Sequence, residues 1–273
     1  SMQLEVTVAS AEIIVLALPS GVVLTVLDDL LPYLRASQDV LVVTKGLGPD
    51  NQLITDAIEF RLTEAKLSNT VAGMLGPTIA PELAAGVITT AQVTSGELIV
   101  AERLAKSLST STLLLVAGDD PTGAELWGAF KNVVALACGV VDGLPTGGGE
   151  NLKASIFASG YREGCGLLGA LGAAPATALG PAGLGDLYVT ATSRHGRNRA
   201  MGEQLGSGLT LEQASRQTVM VSEGVRATRM FAARAAAESI SAPFVDAVNA
   251  LLDGRFDAQT FVASVLDPAL HEE

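Results

Sequence analysis

Aromatic and charged residues are scarce in this chain of 273 residues. Aromatic residues make up 4% and charged residues 17%, against 48% hydrophobic residues. Because disordered chains are rich in charge and poor in apolar residues, this composition argues against disorder. The core has to be built from alanine, valine, leucine and glycine, which suit close helix packing. The length exceeds that of one typical domain, so we expect two domains.

Cysteine and positive charge are scarce as well. The two cysteines, Cys138 and Cys165, form neither a spaced metal motif nor a disulfide framework, so we expect no metal and a reducing cytoplasm. The net charge of −12 argues against a nucleic-acid partner, which needs clustered lysine and arginine. An anionic small molecule remains possible, because it needs only one local basic pocket.

No apolar run is long enough to suggest a membrane span. The longest, residues 13–27, is interrupted by Pro19-Ser20-Gly21 and is shorter than the ~20 residues that a bilayer requires. We expect no signal peptide before it. The sequence therefore predicts a protein without a membrane partner.

Short apolar runs alternate with helical patterns over the first 120 residues. We predict strands at residues 12–18, 40–44, 70–75, 87–91 and 113–117, and helices at 22–36, 51–64 and 97–108. This alternation predicts an α/β domain with a doubly wound parallel sheet over residues 1–120. Alanine-, glycine- and leucine-rich helical patterns follow, which predict an all-α domain over residues 121–273. We expect a ligand cleft between the domains, at the carboxyl ends of the strands.

A Gly-x-Gly-x-x-Gly turn, which cradles a pyrophosphate in many such sheets, does not follow the first strand. The nearest match, Gly46-Leu47-Gly48-Pro49-Asp50-Asn51, ends in asparagine and follows the second strand, so it predicts a tight strand-to-helix turn. Lys45 precedes it at the carboxyl end of a strand and so faces the expected cleft. The alternative is an ordinary solvated lysine.

One lysine interrupts an otherwise small and apolar helical stretch over residues 127–139. Helical spacing puts Lys131 on one face with Trp127, Gly128, Val134 and Ala135. Burial there would lower the pKa of its ammonium, the condition that a lysine needs to act as a general base. In the alternative reading, its head group extends to water.

A second group of polar residues lies in the helical half. Asp186 and Thr190 share one helical face after a glycine-rich turn, although Asp186 could also be an N-cap. The densest positive charge follows at residues 194–199, where Arg197 and Asn198 suit a phosphate group; a solvated basic turn is the alternative. We assign no role to His195.

Together these residues provide a base, a carboxylate with a hydroxyl, and an anion clamp. Lys131 is the base, Asp186 and Thr190 are the carboxylate and hydroxyl, and Arg197 with Asn198 is the clamp. The set suits a small phosphorylated alcohol whose hydroxyl is deprotonated during oxidation. Glu223 begins a predicted helix and could simply complement its dipole.

At these residues the chain resembles the bacterial NAD(P)-dependent sn-glycerol-3-phosphate dehydrogenases. Six motifs in matching order carry the resemblance: Thr44-Lys45-Gly46, Gly76-Pro77-Thr78-Ile79-Ala80, Gly128-Ala129-Phe130-Lys131-Asn132-Val133, Gly183-Leu184-Gly185-Asp186-Leu187, Arg197-Asn198-Arg199 and Val221-Ser222-Glu223-Gly224-Val225-Arg226. The adjacent lysine and asparagine distinguish it from hydroxyisobutyrate-type dehydrogenases, which space those residues by a helical turn.

The resemblance implies a Rossmann-like sheet domain followed by a helical substrate domain. It implies catalytic roles for Lys131, Lys45 and Asp186. The implied substrate contacts are Lys45, Gly76, Lys131, Asn132, Asp186, Thr190, Gly196, Arg197 and Asn198. The implied contacts to NAD or NADP are Lys45, Thr78, Ala80, Arg197, Val221 and Glu223. It further implies a cytoplasmic homodimer that interconverts glycerol 3-phosphate and dihydroxyacetone phosphate for phospholipid synthesis.

Two departures from the family pattern leave other functions open. We expect the first strands and the glycine-rich turn ahead of residues 4–7 to be missing, the helix before Glu12 to be shortened away, and a sheet edge to be exposed. Ser159 stands where the family usually has an arginine. The alternatives are a non-catalytic homologue that binds a phosphorylated ligand or a partner, and a dehydrogenase of another phosphorylated or carboxylated alcohol.

Overall fold

The computed structural model describes residues 4–48, 51–145, 147–193, 196–216 and 223–267. The chain divides into two compact units. Unit 1 comprises Ser1–Leu126 and Gly180–Ala182, and unit 2 comprises Trp127–Leu179 and Gly183–Glu273. The assignment of a cofactor to residues 1–120 and of the substrate to residues 121–273 stays a prediction.

Unit 1 is an α/β unit with five strands. The strands are β1 (Ile13–Leu16), β2 (Asp39–Val42), β3 (Val71–Leu75), β4 (Thr89–Thr94) and β5 (Leu113–Gly118). Its helices are α1 (Leu4–Ala9), α2 (Val23–Leu30), α3 (Ile54–Glu64), α4 (Ala80–Ala84) and α5 (Leu98–Leu108), with a 3-10 turn at Leu31–Tyr33. Each strand overlaps one that the sequence predicts.

The sheet is mostly parallel, as the sequence predicts, but one of its strand pairs is antiparallel. The strand order is β1-β2-β3-β4-β5; β1, β2 and β3 are parallel, β4 runs antiparallel to β3, and β5 is parallel to β4. The connection between β3 and β4 contains only the five-residue helix α4. Parallel neighbours need a longer crossover, usually a full helix, whereas an antiparallel pair does not.

Helices cover the sheet on both faces. α2 and α3 pack on one face with Leu27, Ile54 and Ile58, and α5 packs on the other with Ala101 and Leu104. All four residues of β2 are buried, which is typical of an inner strand and agrees with the apolar run Val40-Leu41-Val42. β1 forms one edge of the sheet, where Val15 is 51% exposed, in line with the expected exposed edge.

The segment before Glu12 contains a helix that the sequence analysis expected to be shortened away. α1 has six residues, and its buried side chain is Val8. Gln38 donates from Nε2 to the carbonyl oxygens of Val8 at 2.7 Å and Ala11 at 2.8 Å, which holds the end of this helix against the start of β2. A six-residue helix is therefore present in this segment, and the expectation that it is missing was wrong.

Unit 2 is helical, and its described residues include no strand. Its helices are α6 (Pro121–Gly143, which begins in unit 1), α7 (Gly149–Ala170), α8 (Pro175–Leu179), α9 (Asp186–Thr192), α10 (Arg197–Gly206), α11 (Leu211–Arg216), α12 (Glu223–Ala237), α13 (Pro243–Leu252) and α14 (Ala258–Leu266). A π-helical turn, Pro181–Gly185, precedes α9. The α/β-plus-all-α prediction is confirmed.

α6 is the central helix of unit 2. Its length and apolar composition would allow it to cross a membrane, but its most apolar 18-residue window is entirely buried, which is typical of a core helix. Trp127 and Phe130 on α6 meet edge-to-face, with ring centroids 5.9 Å apart, and Phe130 packs in the same way on Phe231 of α12. α6 therefore carries both the aromatic core and the predicted catalytic lysine.

Candidate active site

Lys131 is buried in the middle of α6. The residue is 5% exposed, and its Nζ donates to Asp186 Oδ2 in a buried ion pair. The side chain does not extend to water, so the alternative reading of this lysine was wrong. Burial favours the neutral amine, whereas the neighbouring carboxylate favours the ammonium. Lys131 is thus a buried charge that is paired with a carboxylate.

Asp186 is the first residue of α9, directly after the π-helical turn. Its carboxylate pairs with Lys131, and the N-cap position belongs to Gly185, so the N-cap reading of Asp186 was wrong. Thr190 lies one turn later, and its Oγ1 donates to the Asp186 carbonyl oxygen at 2.6 Å. The hydroxyl and the carboxylate belong to the same short helix, as the spacing predicts.

Two asparagines connect three helices beside the lysine. Asn198 of α10 donates from Nδ2 to Asn132 Oδ1 at 2.8 Å and accepts from the Gly224 N–H of α12 at 2.9 Å. A Cβ at Gly224 would lie 2.8 Å from the Asn132 carbonyl oxygen, so only glycine fits there. The sequence analysis proposed both asparagines as substrate contacts, and the structure adds their contact with each other.

The start of α10 presents positive charge beside this amide pair. Arg197 is the first residue of the helix and is exposed, and Gly196 is the N-cap without a side-chain hydrogen bond. The N–H groups of a first helical turn have no intrahelical partner and attract anions. Arg197 and this turn can therefore bind a phosphate group together.

Glu223 is exposed at the start of α12, as the sequence predicts for a residue that begins a helix. Val221 and the residues Arg194 and His195 lie outside the described residues. The structure thus brings Lys131, Asn132, Asp186 and Asn198 together in unit 2, with Thr190 and Arg197 on the same helices as Asp186 and Asn198.

A network of charges in unit 2 was missed by the sequence analysis. Asp142 of α6 pairs with Lys153 of α7 at 2.6 Å and with Arg199 of α10 at 2.5 Å. Although partial burial lowers it, hydrogen bonds to Asp142 and Glu150 raise the pKa of Lys153 above its ordinary value. Since these residues lie on three different helices, no sequence spacing could indicate their pairing.

Lys45 has a defined partner in unit 1. Its Nζ donates to the Gly76 carbonyl oxygen at 2.7 Å, so Lys45 is not an ordinary solvated lysine. Gly76 has a φ of +144°, and a Cβ there would lie 2.9 Å from the Ala91 Cα, so this position requires glycine. The Thr78 N–H donates to the same carbonyl oxygen at 2.8 Å.

These residues of unit 1 fit part of a nicotinamide dinucleotide. Lys45 supplies a cation, and Thr78 and Ala80 leave room because their side chains are small and partly or fully exposed. Gly46 has a φ of +101° and belongs to the tight turn that its motif predicts. The described residues of unit 1 contain no Gly-x-Gly-x-x-Gly turn for the pyrophosphate. The fit is therefore partial.

Two further carboxylates, the buried Glu125 and the partly buried Glu163, hold helix starts. Glu125 accepts from the backbone N–H groups of Ile54 at 2.6 Å and Thr55 at 3.0 Å, and burial raises its pKa. Glu163 accepts from the N–H groups of Phe244 and Val245, and burial raises the pKa of Glu163 to about 7. Both carboxylates cap helices, which accounts for their burial without a catalytic role.

The departure at Ser159 lies in a separate pocket. Ser159 and Glu163 line a pocket of 190 Å³ with residues of α13 and α14, and none of the predicted site residues lines it.

Cys138 is buried, and burial raises the pKa of its thiol to about 12, so it is no nucleophile. Within the described ranges, no three His, Cys, Asp or Glu residues are grouped so that they could hold a metal ion.

Comparison with known proteins gives one consistent result. A model described as NAD-dependent glycerol-3-phosphate dehydrogenase N-terminus matches residues 1–101, and the corresponding C-terminus model matches residues 120–263. A glycerol-3-phosphate dehydrogenase [NAD(P)+] of Rhizobium etli is 38% identical over 92% of this chain and 74% of its own. A Vibrio vulnificus protein of the same name is 37% identical over 93% and 74%.

A solved structure agrees with these relatives. The glycerol-3-phosphate dehydrogenase of Coxiella burnetii superposes with a TM-score of 0.84 at 29% identity, covering 97% of this chain and 80% of its own. Since both family models match and relatives above 30% identity are covered over about three quarters of their length, the assignment rests on sequence and fold together. The chain belongs to the family of NAD-dependent glycerol-3-phosphate dehydrogenases.

Proposed function

We propose that this protein interconverts sn-glycerol 3-phosphate and dihydroxyacetone phosphate with NAD or NADP. The observation that carries the proposal is the buried Lys131–Asp186 pair, with Asn132, Asn198 and the start of α10 in the same unit. The buried pair supplies a proton-transfer group, and the helix start supplies an anion site. These are the two functions that oxidation of a phosphorylated alcohol requires.

Lys131 acts as the general base in the oxidation direction. Its neutral amine accepts the proton of the C2 hydroxyl while the hydride leaves C2, and in the reverse direction its ammonium donates that proton to the carbonyl oxygen. Asp186 stabilises the ammonium once it has formed and holds Nζ in place. When bound, the nicotinamide ring provides the acceptor or donor of the hydride.

Arg197 and the first turn of α10 bind the phosphate group. A guanidinium binds phosphate through two parallel hydrogen bonds, and the helix start adds backbone N–H donors. Arg197 is exposed at the start of this helix, where its guanidinium is accessible to a ligand. Lys45, Gly76, Thr190 and Gly196 are further proposed substrate contacts, and Lys45, Thr78, Ala80, Arg197, Val221 and Glu223 are the proposed cofactor contacts.

We also propose that the protein works as a homodimer in the cytoplasm, with no membrane or nucleic-acid partner, and that its product feeds phospholipid synthesis. The support is the family resemblance, together with the net charge of −12. Light scattering coupled to size exclusion tests the oligomer. A mass of one chain across the concentration range contradicts the dimer.

The test of the activity measures oxidation of NADH and of NADPH with dihydroxyacetone phosphate and with unphosphorylated dihydroxyacetone. We expect turnover with the phosphorylated substrate alone, and Arg197→Met should lose most of that preference. Binding of glycerol 3-phosphate without turnover supports the non-catalytic alternative. Turnover only with another phosphorylated or carboxylated substrate supports a different dehydrogenase.

A further inference from the structure

Arg199 lies on α10 and connects it to α6 and to the C-cap of α9. It belongs to α10, two residues after Arg197, and its side chain is 14% exposed. Its Nη1 pairs with Asp142 Oδ2 of α6 at 2.5 Å. Its Nε donates to the carbonyl oxygen of Ser193, the C-cap of α9, at 3.1 Å. The family resemblance assigns Arg199 no role.

The anchor of Arg199 is itself held in place. Asp142 uses its second oxygen to pair with Lys153 of α7 at 2.6 Å, and the side chains of Asp142 and Lys153 are 16% and 18% exposed. Ion pairs that are partly removed from water are screened less than surface pairs. Glu203, at 3.5 Å from Arg199 Nη2, is 50% exposed and holds it less firmly. Nη1, Nε and Nη2 of Arg199 are thus engaged by protein groups.

The backbones of α6 and α10 touch beside this pair. A Cβ at Gly139 would lie 2.0 Å from the Arg199 carbonyl oxygen, and a Cβ at Gly202 would lie 2.0 Å from the Leu136 carbonyl oxygen. Gly143 and Gly206 repeat the contact one turn later. The glycines set the distance between α6 and α10. The ion pair between Arg199 and Asp142 then connects the two helices at one position along their length.

Resting on the proposed function, we infer that Arg199 is a positioning residue for phosphate binding. It holds the end of α9 and the start of α10 against α6, and so keeps Asn198 against Asn132 and sets the position of Arg197. Since Arg197, Asn198 and Arg199 all belong to the first turn of α10, loss of the Arg199 anchor displaces the phosphate contacts. A displacement of about 1 Å can cost as much as ~100-fold in an enzyme reaction.

Three variants test the inference. Arg199→Lys keeps the charge, but one ammonium cannot replace a guanidinium that reaches both Asp142 and Ser193. Asp142→Asn removes the anchor without changing α10. Arg216→Lys is the matched control. The Arg216 side chain on α11 is 75% exposed, and it pairs with Glu212, which is also exposed. For each protein, kcat and KM for glycerol 3-phosphate and the unfolding midpoint are measured.

We expect Arg199→Lys and Asp142→Asn each to raise KM about tenfold with kcat changed by less than about threefold. The KM of the double variant should be no higher than that of the more impaired single variant, because both changes break the same ion pair between Arg199 and Asp142. The control should match the wild type. If Arg199 contacts the phosphate directly, Asp142→Asn leaves KM unchanged; if its role is only structural, the midpoint falls without a change in KM. Either result overturns the inference.

The experiment separates this inference from the proposed function. A wild-type protein without turnover contradicts the proposed function, and calorimetry of glycerol 3-phosphate binding to the same variants then tests Arg199. Weaker binding by both variants supports the inference. Equal binding by the wild type and the variants, or no binding by the wild type, overturns it.

Discussion

Lys131 and Asp186 form a buried ion pair although 55 positions separate them in the chain. Their side chains are 6% and 3% exposed. Transfer of two charges from water into a protein interior is costly, and their attraction compensates only when both are present. The pair therefore links the stability of unit 2 to the group that we propose for proton transfer.

The first prediction concerns this coupling. Lys131→Met and Asp186→Asn should each lower the free energy of unfolding by about 3–5 kcal/mol, because each leaves one buried charge without its partner. In the double variant the free energy of unfolding should fall by much less than the sum of the decreases in the two single variants. Urea unfolding of the four proteins measures the coupling. Additive losses would contradict a direct interaction.

The second prediction concerns pH and Glu163. Burial raises the pKa of Glu163 to about 7 from an ordinary value of 4.5. A carboxyl whose pKa is higher in the folded protein contributes stability that is present below about pH 4.5 and lost as the pH rises through about 7. The stability of the wild type relative to Glu163→Gln should therefore fall between pH 4.5 and 8.

Chemical unfolding at several pH values measures this difference. Glu150→Gln is the matched control, because Glu150 lies on the same helix and its side chain is 89% exposed. Between pH 4.5 and 8 the Glu163→Gln difference should fall more than the Glu150→Gln difference. A constant difference for Glu163→Gln would mean that Glu163 ionises normally in the folded protein.

The third prediction concerns the contact between α6 and α10. Gly202→Ala should destabilise the protein by about 1–3 kcal/mol or more, because the new Cβ meets a backbone carbonyl oxygen that cannot move alone. Gly166→Ala on α7 is the control: nothing lies within 4 Å of its Cβ, so better helix propensity should stabilise the protein by about 0.5–1 kcal/mol. Thermal unfolding compares them, and equal midpoints would refute the close contact.

The fourth prediction concerns Glu125, which caps α3 from the start of α6. Glu125→Leu leaves two buried N–H groups without an acceptor, so the free energy of unfolding should fall by about 2–6 kcal/mol. Glu125→Gln keeps one acceptor oxygen and should lie between Glu125→Leu and the wild type. Denaturant unfolding ranks the three proteins. A leucine variant as stable as the wild type would show that water reaches these groups.

The arrangement of unit 1 could be predicted from sequence only in part. Short apolar runs predict all five strands, because such runs are typical of buried strands. The sequence analysis did not predict that β4 is antiparallel to β3. The direction of β4 follows from the connection after β3, which contains only the short helix α4. The short helix α1 was missed because one buried residue, Val8, gives no helical periodicity.

The candidate site was predictable where a residue contrasts with its surroundings. Lys131 stands out as the one charge in the apolar stretch of residues 127–139, and Asp186 follows a glycine-rich turn. The Asn132–Asn198 contact and the pairing of Asp142 with Arg199 were missed. Tertiary packing decides which helices meet, and neither pair shows a helical spacing that would indicate a contact.

The decisive measurement is the kcat of Lys131→Met with saturating glycerol 3-phosphate and NAD or NADP, together with the binding of glycerol 3-phosphate to the variant. Lys106→Met, on the exposed face of α5, is the control. We predict that kcat falls by about 10²–10⁴-fold or more while the folded variant still binds glycerol 3-phosphate. A variant that retains the wild-type kcat would contradict Lys131 as the general base.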